Sequence, residues 1–185
     1  MTIPFYDGFK HTGNYPENGH AGLWYDRFFN EYDASGKVPE GGKLTWINKL
    51  ASRAVGGDKA KKFAVRQMVL VDALSGKSIV VKTDWHFVTG LGINHPVENG
   101  FAWHLTLGVP YLTGSAVKGL LRAWCEQLSS EFNDNNKAAK LREWFGPSIA
   151  ELTERSSGID PAAGSLIFFY AIPTQPVKLQ ADVMT

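Results

Sequence analysis

Apolar side chains repeat with a helical period over the first part of the chain and with a strand-like period of two after it. Residues 1–21, rich in Gly, Asn, Pro and Tyr, predict irregular chain. Leu23–Tyr32 predicts an aromatic helix, with Trp24 and Phe28 four apart and Tyr25, Phe29 and Tyr32 beside them. A turn-rich linker follows over Asp33–Gly42, punctuated by Gly36, Pro39, Gly41 and Gly42. Lys43–Val55 predicts a second helix, closed by Gly56-Gly57. Asp58 is placed to cap a third helix that runs to about Leu74, before Ser75-Gly76.

Beyond Gly76 the pattern changes. Over Ile79–Val88, Val81, Thr83, Trp85 and Phe87 alternate with Lys82, Asp84 and His86, the signature of a half-buried strand. Phe101–Leu107 alternates in the same way, and a glycine-bearing loop, Thr89–Gly100, joins the two. Pro110–Gly114 predicts a tight turn, and Ser115 opens a helix expected to reach Phe132. A short helix over Lys137–Phe145 stops at Gly146-Pro147. Gly164–Ile172 is almost continuously apolar and predicts a central strand buried on both sides. The fold class expected is α+β, with a helical extension over residues 1–76 and a core over 77–185.

Composition narrows the classes. With 185 residues, 44% hydrophobic and 20% charged, the chain can bury a core without staples and is neither disordered nor fibrous. A single cysteine, Cys125, excludes an internal disulfide and any multi-Cys zinc site. No apolar run approaches the length of a membrane span, and no signal peptide is visible at Met1–Tyr6, so a cytoplasmic protein is expected. Net charge is +1, so contact with a polyanion must come from a local patch. Between Lys37 and Arg66, eight Lys or Arg face two acids, whereas Glu126–Asp160 carries seven acids against four bases. The basic stretch is either a solvated helix face or a surface that tracks a phosphate backbone.

The helix opening at Ser115 carries the most information. Val117, Leu120, Leu121, Trp124 and Leu128 cluster on one side, the expected core face. Ser115, Lys118, Gly119 and Arg122 share the other. Two cations four apart repel by a few tenths of a kcal/mol, and a mid-helix glycine costs about 1 kcal/mol against alanine. An anion at the helix N-terminus gives both a use. Free N–H groups favour phosphate there, Lys118 and Arg122 add charge, and Gly119 admits a sugar or backbone. The plainer reading is a solvated face with Arg122 paired to Glu126.

Three loop signatures fail on their partners. Ser115-x-x-Lys118 matches the Ser–Lys acyl-transfer motif, but its companion elements are absent. Gly114-x4-Gly119 has Leu120 where a P-loop needs lysine, and Gly90-x-Gly92 meets His95 where a dinucleotide loop needs its third glycine. His86, His95 and His104 with Glu98 match no metal-ligand spacing, so no metal and no cofactor are expected. His95, beside Gly92 and Pro96, is a candidate to position backbone, to stack on a base or, as a general acid, to cleave RNA.

Gly90-Leu91-Gly92, His95–Gly100 and the block from Gly108 through Pro110, Gly114-Ser115, Lys118-Gly119 and Arg122 resemble the signature of the RAMP superfamily, the RNA-binding subunits of CRISPR–Cas effector complexes. Phe145-Gly146 and Gly164–Phe169 fit the strand after the signature helix. Ala21–Phe28 and Leu179–Thr185 resemble, within that superfamily, the family of sixth Cmr subunits of type III-B systems. Two departures stand out. The strand ending Tyr170-Ala171-Ile172 lacks the acid many relatives carry, and relatives continue with further strands where this sequence stops.

The resemblance implies a ferredoxin-like, RRM-related domain without an RNP motif, incomplete at its C-terminus. It implies a non-catalytic subunit that contacts the crRNA backbone near its 3′ end, and target RNA indirectly, beside other Cmr subunits in antiviral defence. Gly90, Gly92, His95, Gly114, Ser115, Lys118, Gly119 and Arg122 are its candidate RNA-binding residues. Two other roles remain open: a repeat-cleaving endoribonuclease using His95, and a protein scaffold whose helix face meets a neighbour's acids.

Overall fold

A computed structural model describes residues 15–16, 19–127, 134–153 and 161–182. The chain divides into two compact units, Met1–Tyr111 with Ile172–Thr185, and Leu112–Ala171. Helices and small antiparallel pairings coexist, so the class is α+β.

The first unit is built on aromatic packing. Helix α1, Ala21–Arg27, starts where the His20 side chain accepts the Leu23 N–H, and it ends sooner than the sequence pattern predicts, with Phe28 leaving the helical region. The early exit puts Phe29 edge-on to Trp46, at 5.3 Å. Helix α2, Gly42–Ala51, delivers Trp46 and Leu50, both fully buried. Trp24 stacks on Trp46 with centroids 3.8 Å apart. Gly22 lies against Trp103, where an added Cβ would come within 2.5 Å of the Trp103 Cβ. Strand β1, Ala54–Val55, takes the end predicted for the second helix and pairs antiparallel with a strand near the C-terminus, Val177–Lys178. Helix α3, Asp58–Ala73, follows Gly56 and Gly57, both at positive φ, so Gly57 rather than Asp58 is its N-cap. Ser75 at positive φ, with the Gly76 N–H on the Val71 carbonyl, closes it in a Schellman turn.

The predicted strands are corrected. Residues 79–88 form no helix or strand, bend at Asp84-Trp85 and pair with no strand among the described residues, leaving Ile79 82% and Trp85 79% exposed. Alternation marks a face suited to burial, but it supplies no partner for the backbone. A hairpin forms beyond them instead, from β2, Asn94–His95, and β3, Glu98–Asn99. Residues 101–107 run strand-like only to His104, where Trp103 bridges Pro110. There the His104 ring accepts the Thr106 and Leu107 N–H groups and Gly108 turns the chain at positive φ, so Leu105 points into solvent. The strand from Val177 to Lys178 is β4, the last described.

The second unit holds helix α4, Gly114–Gln127, helix α5, Asp134–Phe145, and a short helix α6, Ile149–Thr153. The continuation predicted for α4, Leu128 to Phe132, lies outside the described residues. The expected buried strand over 164–172 is also corrected. The Ser165 and Leu166 N–H groups bond to the Glu143 and Trp144 carbonyls, satisfying the end of α5 in place of a sheet neighbour. Further on, Phe168 stacks on the buried Phe145, and Ala171 exchanges two backbone hydrogen bonds with Leu112. Ser148 and Glu151 cap α6 reciprocally: the Ser148 N–H bonds to the carboxylate and its hydroxyl accepts the Glu151 N–H. The Ser148 backbone and hydroxyl, with the Arg142 guanidinium, pull the Glu151 carboxyl down to about 2.

Candidate nucleic-acid interface

Thr113, not Ser115, starts α4. Its carbonyl accepts the Val117 N–H and its hydroxyl the Ala116 N–H. The Ser115 hydroxyl lies 2.8 Å from the Thr113 hydroxyl, exposed at the open end of the helix. Gly114 sits beneath the passing chain, where an added Cβ would come within 2.3 Å of the Phe168 carbonyl oxygen. Its absent side chain is a packing requirement. Lys118 is half-buried one turn along, and no carboxylate pairs with it among the described residues. Gly119 faces open space, with nothing within 4 Å of an added Cβ.

Arg122 is occupied internally. Its Nε donates to Glu126 Oε1 at 2.8 Å, one terminal nitrogen donates to the Gly146 carbonyl at 2.9 Å, and the other lies 3.8 Å from Glu151. The guanidinium therefore ties α4 to the end of α5 and to α6.

The apolar face predicted for this helix is reversed. No residue of α4 is buried; Leu120 is 65% and Trp124 58% exposed, with Leu121 beside them. Gly114, Val117, Lys118, Arg122 and Cys125 are the half-buried residues, so of the predicted apolar face only Val117 is partly covered among the described residues.

The other three candidates lie in the first unit. Gly90, at positive φ, passes so close to Ala102 that an added Cβ would come within 2.5 Å of its backbone nitrogen. Gly92 faces open space. His95 is held on both sides: Nε2 lies 2.8 Å from the Tyr25 carbonyl, Nδ1 accepts the Val97 N–H, and the ring stacks on Tyr25. Those bonds require the proton on Nε2. Burial pushes the His95 pKa down, against the opposing pull of the Tyr25 carbonyl and Asp26.

A depressed histidine favours the neutral form in the fold. Its contribution is thus complete above about pH 6.5 and is lost as protons bind the unfolded chain below it. The urea midpoint should fall between pH 7.5 and 5.5, and His95→Gln should flatten that fall; an equal fall in both proteins would show that His95 does not titrate with folding.

The family model of the RAMP superfamily matches residues 78–179, more than half of the chain. Neither the curated proteins nor the solved structures supply a match. The matched span contains Gly90 through Arg122, including α4 and every candidate residue above. The chain belongs to the RAMP superfamily. Membership associates it with CRISPR–Cas systems, whose RAMP proteins act in multi-subunit complexes with RNA. No helix among the described residues is long and apolar enough to cross a membrane.

Sequence reasoning did not find the Ser148–Glu151 capping pair, although Ser-x-x-Glu is legible as a helix start. Gly90 and Gly114, candidate RNA-binding residues from the sequence, each also have a packing reason in the structure.

Proposed function

We propose that this chain is a non-catalytic RNA-binding subunit of a type III-B (Cmr) effector complex, with a ferredoxin-like core. In this reading it contacts the crRNA backbone near the 3′ end and docks against adjacent RAMP subunits in the cytoplasm. The observation that carries the proposal is the superfamily match over 78–179, with the signature helix inside it. The exposed Ser115 in the first turn of α4 and Lys118, which no carboxylate pairs among the described residues, suit phosphate, and Gly119 leaves room for a sugar. His95, bonded to backbone through both nitrogens, suits positioning rather than proton transfer, which weighs against the endoribonuclease role.

Fluorescence polarisation with a labelled single strand of crRNA length, across a chloride series, tests it. Affinity should weaken steeply with salt, and Lys118→Glu should lower it and shrink the slope by about 0.7, the share of one phosphate. Gly119→Ala should raise helix stability by about 1 kcal/mol while lowering RNA affinity. An unchanged slope in the Lys118 variant would remove α4 from the interface. A second reading has its own support: the exposed Leu120 and Trp124 suit contact with a neighbouring protein. Assembly with other Cmr subunits by a chain that binds no RNA alone would favour a scaffold.

A further inference from the structure

Helix α3 lies outside the span matched to the superfamily and carries four cations, Lys59, Lys61, Lys62 and Arg66. All four are exposed, and none pairs with a carboxylate among the described residues. Elsewhere in the same basic stretch, Lys43 pairs with Glu98 and Lys49 with Glu31. At about 100° per residue, Lys59, Lys62 and Arg66 fall within an arc of roughly 60°. That arc lies opposite the buried Ala60, Ala64 and Val71. Asp58 stands one turn before Lys62 without bonding to it, and Asp72 lies at the far end.

This arrangement is unfavourable for the free helix. The first turns of a helix carry its positive dipole end, where cations cost rather than stabilise, and like charges three and four apart repel. A polyanion laid along the face relieves both. Lysine is depleted at protein–protein interfaces, which favours nucleic acid over an acidic protein. At a rise of about 1.5 Å per residue the row spans roughly 10 Å, about three charges of a stacked strand.

We infer that the Lys59–Lys62–Arg66 face of α3 is a further RNA-backbone contact, taking about three phosphates of a single strand without reading its sequence. The inference rests on the chain being an RNA-binding subunit, yet the two can fail separately. The test compares the full chain with the Lys59→Gln, Lys62→Gln, Arg66→Gln triple variant and with Lys118→Gln, each against the same labelled single strand across a chloride series. Glutamine keeps helix propensity, so circular dichroism should show an unchanged fold. The triple variant should bind about tenfold or more weakly at low salt, with a slope smaller by about 2. If wild type and triple variant bind alike while Lys118→Gln weakens binding, the α3 contact is overturned and the RNA-binding reading stands. If wild type binds no RNA, both fall. If the triple variant loses retention on a polyglutamate column but keeps its RNA affinity, the face takes an acidic protein and the inference is overturned.

Discussion

Trp46→Ala should cost the first unit about 3–5 kcal/mol, the usual range for emptying a large aromatic site that cannot collapse. Trp46 is fully buried and stacked on Trp24, Phe29 meets it edge-on, and the Lys49 ammonium sits 5.6 Å above its ring. Its removal strips the face from two helices at once. Trp46→Phe should cost clearly less, because the indole N–H makes no hydrogen bond with the described residues and none is lost. Urea unfolding followed by tryptophan fluorescence separates the two variants. A loss below about 1 kcal/mol for the alanine variant would place the centre of the core elsewhere.

Arg122→Gln should destabilise the second unit by about 2–3 kcal/mol, because it removes a guanidinium only 18% exposed and leaves the Gly146 carbonyl, Glu126 and Glu151 without their partner. Lysine should not rescue it. One ammonium cannot reach Glu126, the Gly146 carbonyl and Glu151 from the same position, whereas the planar fork can. The affinity of the folded fraction for RNA should change little, in contrast to Lys118→Glu. A stable Arg122→Gln chain with a reduced salt slope would return Arg122 to the RNA interface. The sequence alone offered both partners for this arginine, phosphate and Glu126, and spacing could not choose between them.

That ambiguity shows where the sequence was legible. Stop signals read better than caps: α3 ends before Ser75-Gly76 and α5 at Gly146 as Ser and Gly predict, whereas the predicted caps Asp58 and Ser115 give way to Gly57 and Thr113. The superfamily signature was also legible in the residues from Gly90 to Arg122, and the family match contains them. Burial read poorly. The alternation of residues 79–88 and the apolar run from Gly164 both imply sheet neighbours. The first meets none among the described residues, and the second spends its opening N–H groups on α5. The α4 periodicity separated the apolar stripe from the cations but buried the wrong one, because a moment cannot say which face meets the rest of the unit. Leu120, Leu121 and Trp124 are outward, while the Lys118 and Arg122 side chains are half-covered. Gly90 and Gly119 look alike in sequence, and only packing separates a glycine that must clear a backbone from one that faces open space.

The outward apolar stripe of α4 has a consequence for how the free chain behaves in solution. Leu120, Leu121 and Trp124 answer to the choice of salt as well as to its concentration. Sulfate and phosphate strengthen apolar adhesion while the same ionic strength weakens attraction to nucleic acid. A buffer that strips stray RNA from the cations therefore promotes self-association through the stripe when its anion is sulfate, and much less when it is chloride. The colloidal optimum of the isolated chain should lie at moderate chloride, and the stripe sets its upper bound.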